Sequence, residues 1–160
     1  MSRQHHVRTL RPMPARFPLS TSLLVAVAVQ LACQAFKVVL YSIRDRKMGF
    51  RYFLTAGGMP SAHSAFVTAL SVSIGMGSGF GSDVFAVACV FSLIVMYDAV
   101  RLRGTVEQHA RALQGLLARH PEVSAGKLTE MIGHSPAEVA VGVLAGGGCA
   151  ALVSLLIGQP

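Results

Sequence analysis

Charge, and negative charge above all, is what this sequence has least of. Charged residues make up 13% of the chain, about half of what a soluble domain carries. Only 7 of the 160 residues are acidic, and none precedes Asp45. With 52% hydrophobic residues the apolar surplus points to a membrane rather than to a soluble domain. The net charge of +7 does not point to nucleic acid, because the basic residues flank apolar runs and are not interleaved with aromatics on a polar face. Anionic lipid or phosphate fits that placement. Cysteine is scarce too: Cys33, Cys89 and Cys149 each lie inside an apolar run. They have neither zinc-site spacing nor an even count for disulfides, so they read as small buried hydrophobes and leave the redox compartment open. There is no internal repeat and no strand-like alternation, and no metal or cofactor is expected.

What is present is a succession of apolar helices. Residues 1–18 carry Arg3, Arg8, Arg11 and Arg16 with three prolines and no acid, which reads as a disordered basic tail or as an organelle transit segment. The membrane domain is expected over 19–160. Its first span runs from Leu19 to Tyr41, and there Gln30, Gln34 and Lys37 share one helical face. Such polar groups face a partner helix or a site, although Lys37 could also snorkel to the headgroups. A second, short helix is expected from Ala62 to Gly75, a turn from Gly75 to Gly81, and a third span from Asp83 to Val100. Residues 103–119 have the apolar periodicity of an amphipathic surface helix, with Glu107 and Arg111 as an i,i+4 pair. A last glycine-rich helix runs from Pro136 to Gly158, suited to close helix contacts and to a homodimer. The expected architecture is all-α: an integral membrane bundle of about four spans plus one interfacial helix.

Two stretches carry chemistry. Gly57-Gly58-Met59-Pro60-Ser61-Ala62-His63-Ser64 is a loop closing onto a helix start, where free amides bind anions and a histidine can move a proton. Alone, it is equally an ordinary turn and cap. Gly133-His134-Ser135-Pro136-Ala137-Glu138 has the capping box of a helix N-terminus. The same spacing lets the Glu138 carboxylate hold the His134 imidazole in one tautomer. Hairpin connectivity then gathers Lys37, Arg46, His63, Asp98, Arg103 and His134 at one membrane face. By the positive-inside rule that rim is cytoplasmic, or stromal or matrix-facing in an organelle: nine basic residues lie on its side and four in the tail.

Gly57 to Ser64, Tyr97-Asp98 followed by Arg103, and Gly133 to Glu138 with a glycine-bearing apolar helix after it together resemble the divergent PAP2 family, related to acid phosphatases and vanadium-dependent haloperoxidases. The resemblance runs from about Gln30 to the C-terminus. It implies a PAP2-like fold and a metal-independent phosphatase acting on a membrane lipid phosphate. In that comparison His134 is the nucleophile, Glu138 orients it and His63 protonates the leaving oxygen. Lys37, Arg44 or Arg46, Arg103 and the loop at Gly57, Gly58 and Ser61 bind phosphate, with Asp98 a further site residue. This chain has Ala62 where the superfamily has glycine, Glu138 for aspartate, and Arg103-Gly104 for the family's paired arginines. The reading from another class is a non-catalytic membrane protein that binds anionic lipid or a partner through the same basic rim.

Overall fold

The computed structural model describes residues 20–46, 58–120, 122–123 and 133–157. The basic tail, Gly57 and the loop cations Lys47, Arg51 and Lys127 lie outside the described residues. Among those described, the chain is all-helical: α1 (Thr21–Asp45), α2 (Ala62–Ser78), α3 (Asp83–Tyr97), a π-helical turn (Asp98–Leu102), α4 (Arg103–Leu117) and α5 (Pro136–Ile157).

α2 is the central post, packed against α1, α3 and α5. Its buried residues are small, Ala62, Ser64, Ala65, Ala69, Ser71, Ser73 and Gly75 among them, so backbones can approach closely where apolar bulk gives no advantage over lipid. The approach is closest on the α5 side. A Cβ added at Gly142 would lie 2.5 Å from the Ser61 carbonyl oxygen, and one at Gly146 would lie 2.7 Å from the Ala65 Cα. On the α3 side, the Ser71 and Ser92 hydroxyls meet at 2.8 Å, and Ser92 Oγ also reaches the Val67 carbonyl at 3.0 Å. These bonds tie the two helices through buried hydroxyls that also reach carbonyls one turn back in their own helices.

α1 turns Val25, Ala26, Val29, Cys33 and Lys37 inward, the three- and four-residue spacing of one helical face. Leu24, Leu31, Phe36, Val39 and Ile43 stay exposed on α1, as do Val87, Val90, Leu93 and Ile94 on α3 and Leu144, Leu152 and Leu155 on α5. Exposed apolar side chains on this scale mark surface that meets lipid. Among the described residues three stretches are long and apolar enough to cross a membrane: Thr21–Arg44, Asp83–Leu117 and Pro136–Ile157.

Two expectations from the sequence go further than this arrangement does. The count of about four spans is not reached by length, because α2 has 17 residues against the roughly 20 that a bilayer requires. The amphipathic segment is not a separate helix either; it continues α3 through the π-turn as one 35-residue run. Between Tyr97 and Arg103 there is no proline or glycine to stop the helix, so the chain does not break there.

Candidate functional site

Two helix N-termini meet at one end of the bundle. At α5, Ser135 Oγ accepts the Glu138 amide (3.3 Å), and Glu138 Oε2 accepts the Ser135 amide (3.2 Å). This is the capping box read from the sequence. The same Oε2 lies 3.0 Å from His134 Nδ1, so capping and ring orientation share one carboxylate. At α2, Ser61 is the N-cap, its hydroxyl accepting the Ser64 amide at 3.3 Å and lying 2.9 Å from Ser64 Oγ. The Ser61 amide donates to the Glu138 carbonyl at 3.1 Å, which ties the two helix starts together. The dipoles of two helix starts make this end of the bundle attractive to an anion. Just before α2, Gly58 has φ +91°, and a Cβ there would run into the Tyr41 hydroxyl; only glycine fits this turn.

The His134 side chain is 1% exposed. Its Nδ1 is held by Glu138, while its Nε2 is buried with no hydrogen-bond partner among the described residues. Burial pushes the imidazole below its ordinary pKa. The Glu138 hydrogen bond opposes that fall, and the charges of Lys37 and Arg103 add to it. The ring is therefore neutral at neutral pH, with its proton at Nδ1 and its lone pair at Nε2.

Cations gather round this ring. Lys37 is fully buried and interacts electrostatically with Glu138 and His134. The half-buried His63 feels the charges of Arg103, His134, Lys37 and Asp98. Arg103 Nε donates to Asp98 Oδ2 at 2.8 Å, a pairing the π-turn makes available. In a regular α-helix residues five apart diverge by about 140°; here the Arg103 amide bonds to the Asp98 carbonyl, and the wider turn brings both side chains to one face.

Of the residues singled out in the sequence, the structure brings Lys37, Ser61, His63, Asp98, Arg103, His134 and Glu138 into one group, with Gly58 at the cavity beside it. Arg44 and Arg46 are exposed at the C-terminal end of α1, and neither is among the charges felt by His63 or His134. Gly57 lies outside the described residues. Among the described residues no group of three or more His, Cys, Asp or Glu is gathered for a metal ion.

A polar cavity of about 440 Å³ opens beside His134 and Glu138, walled by Gly58, Gly104, Gly133 and the α4 residues Glu107, Gln108 and Arg111. Motif and spacing in the sequence assign none of these α4 residues to the site. Glu107 and Arg111 were visible as an i,i+4 pair, and such pairs ordinarily decorate a solvated helix face. Here Glu107 Oε2 also accepts the Gly133 amide at 3.1 Å.

The chain matches the model of the divergent PAP2 family over residues 19–149. It is also similar to a protein of Bacillus subtilis (strain 168) named "uncharacterized membrane protein YuiD". The two are 35% identical, over 81% of this chain and 89% of that protein. No solved structure gives a significant match.

Proposed function

This chain belongs to the divergent PAP2 family, and from that premise we propose that it is a membrane phosphatase that hydrolyses a lipid phosphomonoester through a phosphohistidine on His134. One observation carries the reading: a buried imidazole tied at Nδ1 to a carboxylate and without a partner at Nε2 among the described residues. A nucleophile held in one tautomer by a third group is what such a reaction requires.

In this mechanism the Nε2 lone pair attacks phosphorus and the bond from phosphorus to the lipid oxygen breaks. That oxygen takes the proton of His63. Water then attacks the phosphohistidine and gives its proton back to His63; inorganic phosphate leaves and Nε2 is restored. Lys37, the Nη groups of Arg103 and the amides at the start of α2 neutralise the phosphoryl oxygens, with Arg44 or Arg46 as further contributors. The lipid-facing apolar surfaces of α1, α3 and α5 favour a substrate that arrives from the bilayer. The same reading has α2 cross as a fourth span, α4 lie along the interface and the rim face the cytoplasm.

The Arg103–Asp98 pair favours a second reading, since it engages a guanidinium that catalysis would use: an anion-binding membrane protein without turnover. Phosphate release by the purified protein from phosphatidate, phosphatidylglycerophosphate and prenyl phosphates in mixed micelles separates the two. The phosphatase reading expects vanadate-sensitive release from at least one of them, loss of that release in His134→Ala, and a phosphohistidine that can be trapped. Phosphate binding with no release from any of them overturns it.

A further inference from the structure

Glu138 fixes the rotation of the His134 ring, but the ring's position depends on the main chain that carries it. Among the described residues three attachments hold Gly133 and the His134 amide, and all three come from the helical run that contains the π-turn. The His134 amide donates to the Ala99 carbonyl at 3.0 Å. Gly133 lies so close to Gly104 that an added Cβ would be 2.8 Å from the Gly104 Cα. The Gly133 amide donates to Glu107 Oε2 at 3.1 Å.

Only the last of these is made by a side chain. Glu107 is unlike a surface carboxylate of an ordinary i,i+4 pair: its side chain is 14% exposed, against 69% for its partner Arg111. A largely buried carboxylate is tolerated where its oxygens are bonded. Here one oxygen takes the Arg111 guanidinium and the other takes the Gly133 amide. The carboxylate thus faces inward, onto the residue that precedes the histidine.

We propose that Glu107 is a positioning residue of the His134 site, its carboxylate setting the placement of the imidazole by accepting the Gly133 amide. Arg111 keeps the carboxylate aimed. The proposal rests on reading His134 as the reacting group, and its effect is on alignment. A shift of about 1 Å in a reacting group costs up to about 100-fold in rate.

The test uses the full chain in detergent micelles, with two readouts. The first is kcat and KM for phosphatidate. Glu107→Ala is expected to lower kcat by about 10- to 100-fold with KM within about twofold. Glu107→Gln keeps an oxygen for the Gly133 amide and loses the charge opposite Arg111; it is expected to recover kcat to within about threefold of wild type. The second readout is the ¹⁵N spectrum of the His134 ring. It is expected to report the Nδ1–H tautomer in the wild type and a mixture of tautomers in Glu107→Ala. If Glu107→Ala does not fold, Glu107→Asp, one methylene shorter, takes its place with the same direction of effect. Wild-type kcat in Glu107→Ala, or equal impairment of the Ala and Gln variants, overturns the proposal. The spectrum needs no turnover. If phosphatidate is not hydrolysed at all, an unchanged ring in Glu107→Ala overturns the positioning role. A changed ring sustains that role while the phosphatase reading falls.

Discussion

The amide of His134 donates to the carbonyl oxygen of Ala99, 3.0 Å away and 35 residues earlier in the chain. The π-turn makes that acceptor available. The Arg103 amide bonds five residues back to Asp98, where an unbroken α-helix would bond it four back to Ala99. A local widening of the helix is thus used twice, to pair Asp98 with Arg103 and to anchor the turn that carries His134. Single-turn widenings of this kind commonly sit at functional sites.

Removing one residue should therefore disable the site without removing the helix. Deletion of Val100 lets the segment revert to α geometry with the later residues still on their faces, and the Gly104 amide then bonds four back to Ala99. The His134 amide loses its free acceptor. Circular dichroism of the variant should show unchanged helix content, while vanadate binding is lost. Retained vanadate affinity would mean that the π-turn does not organise the site.

The buried imidazole gives a pH dependence with a definite sign. Burial holds the folded-state pKa of His134 below its ordinary value, which is about 6.5 in the unfolded chain. Between those two values the unfolded chain binds a proton that the folded one does not, so stability is lost as pH falls from about 6.5 towards the folded pKa. In the proposed phosphatase the acid limb of kcat/KM that belongs to His134 should also lie below pH ~6.5. Glu138→Ala removes the hydrogen bond that opposes the shift, so it should move that limb lower still. An NMR titration of the His134 ring checks both directions; a midpoint above the free-imidazole value contradicts them.

The sequence makes much of this site readable, for reasons that differ between its parts. The starts of α2 and α5 are local: Ser61, Ser135, Pro136 and Glu138 are capping residues at fixed offsets, and they hold those places here. The inward face of α1 is periodic, so Gln30, Gln34 and the buried Lys37 follow from helical spacing alone. The gathering of the polar groups follows from the alternating path of successive helices. The π-turn has no such signature, because one inserted residue in an apolar helix changes register without changing composition. Glu107 was hidden for a related reason. Its local partner Arg111 explains it completely, and its second bond, to Gly133, crosses 26 residues through a contact that no spacing rule encodes.

The glycines of α5 separate packing from helix propensity. Gly146 faces Ala65 so closely that a Cβ would press on its backbone, whereas a Cβ at Gly148 meets nothing within 4 Å. Gly146→Ala should push α2 and α5 apart and destabilise the protein by about 1–3 kcal/mol. Gly148→Ala should be neutral or stabilise by up to about 1 kcal/mol, the helix preference of alanine over glycine. Thermal unfolding of the two variants in the same detergent measures the difference. Equal melting temperatures would show that the close approach of α2 and α5 contributes little.

Gly104 offers the opposite kind of test, a gain. It lines the polar cavity beside His134, at the position where the resemblance to the divergent PAP2 family implies a second arginine. Its backbone supports Gly133, but a Cβ on Gly104 itself would meet nothing within 4 Å. An arginine can therefore be introduced without disturbing the Gly133 contact, and its guanidinium would enter a cavity already bordered by His134 and Glu138. If the site binds a phosphoryl group, Gly104→Arg should tighten vanadate or phosphate about tenfold, equivalent to about 1.4 kcal/mol and within reach of one charge-assisted hydrogen bond. Calorimetry on the wild type and the variant at matched ionic strength reads this directly. The increment should also shrink as salt rises, because part of the cavity opens to solvent. Unchanged affinity at low salt would remove this cavity from the phosphate-binding site.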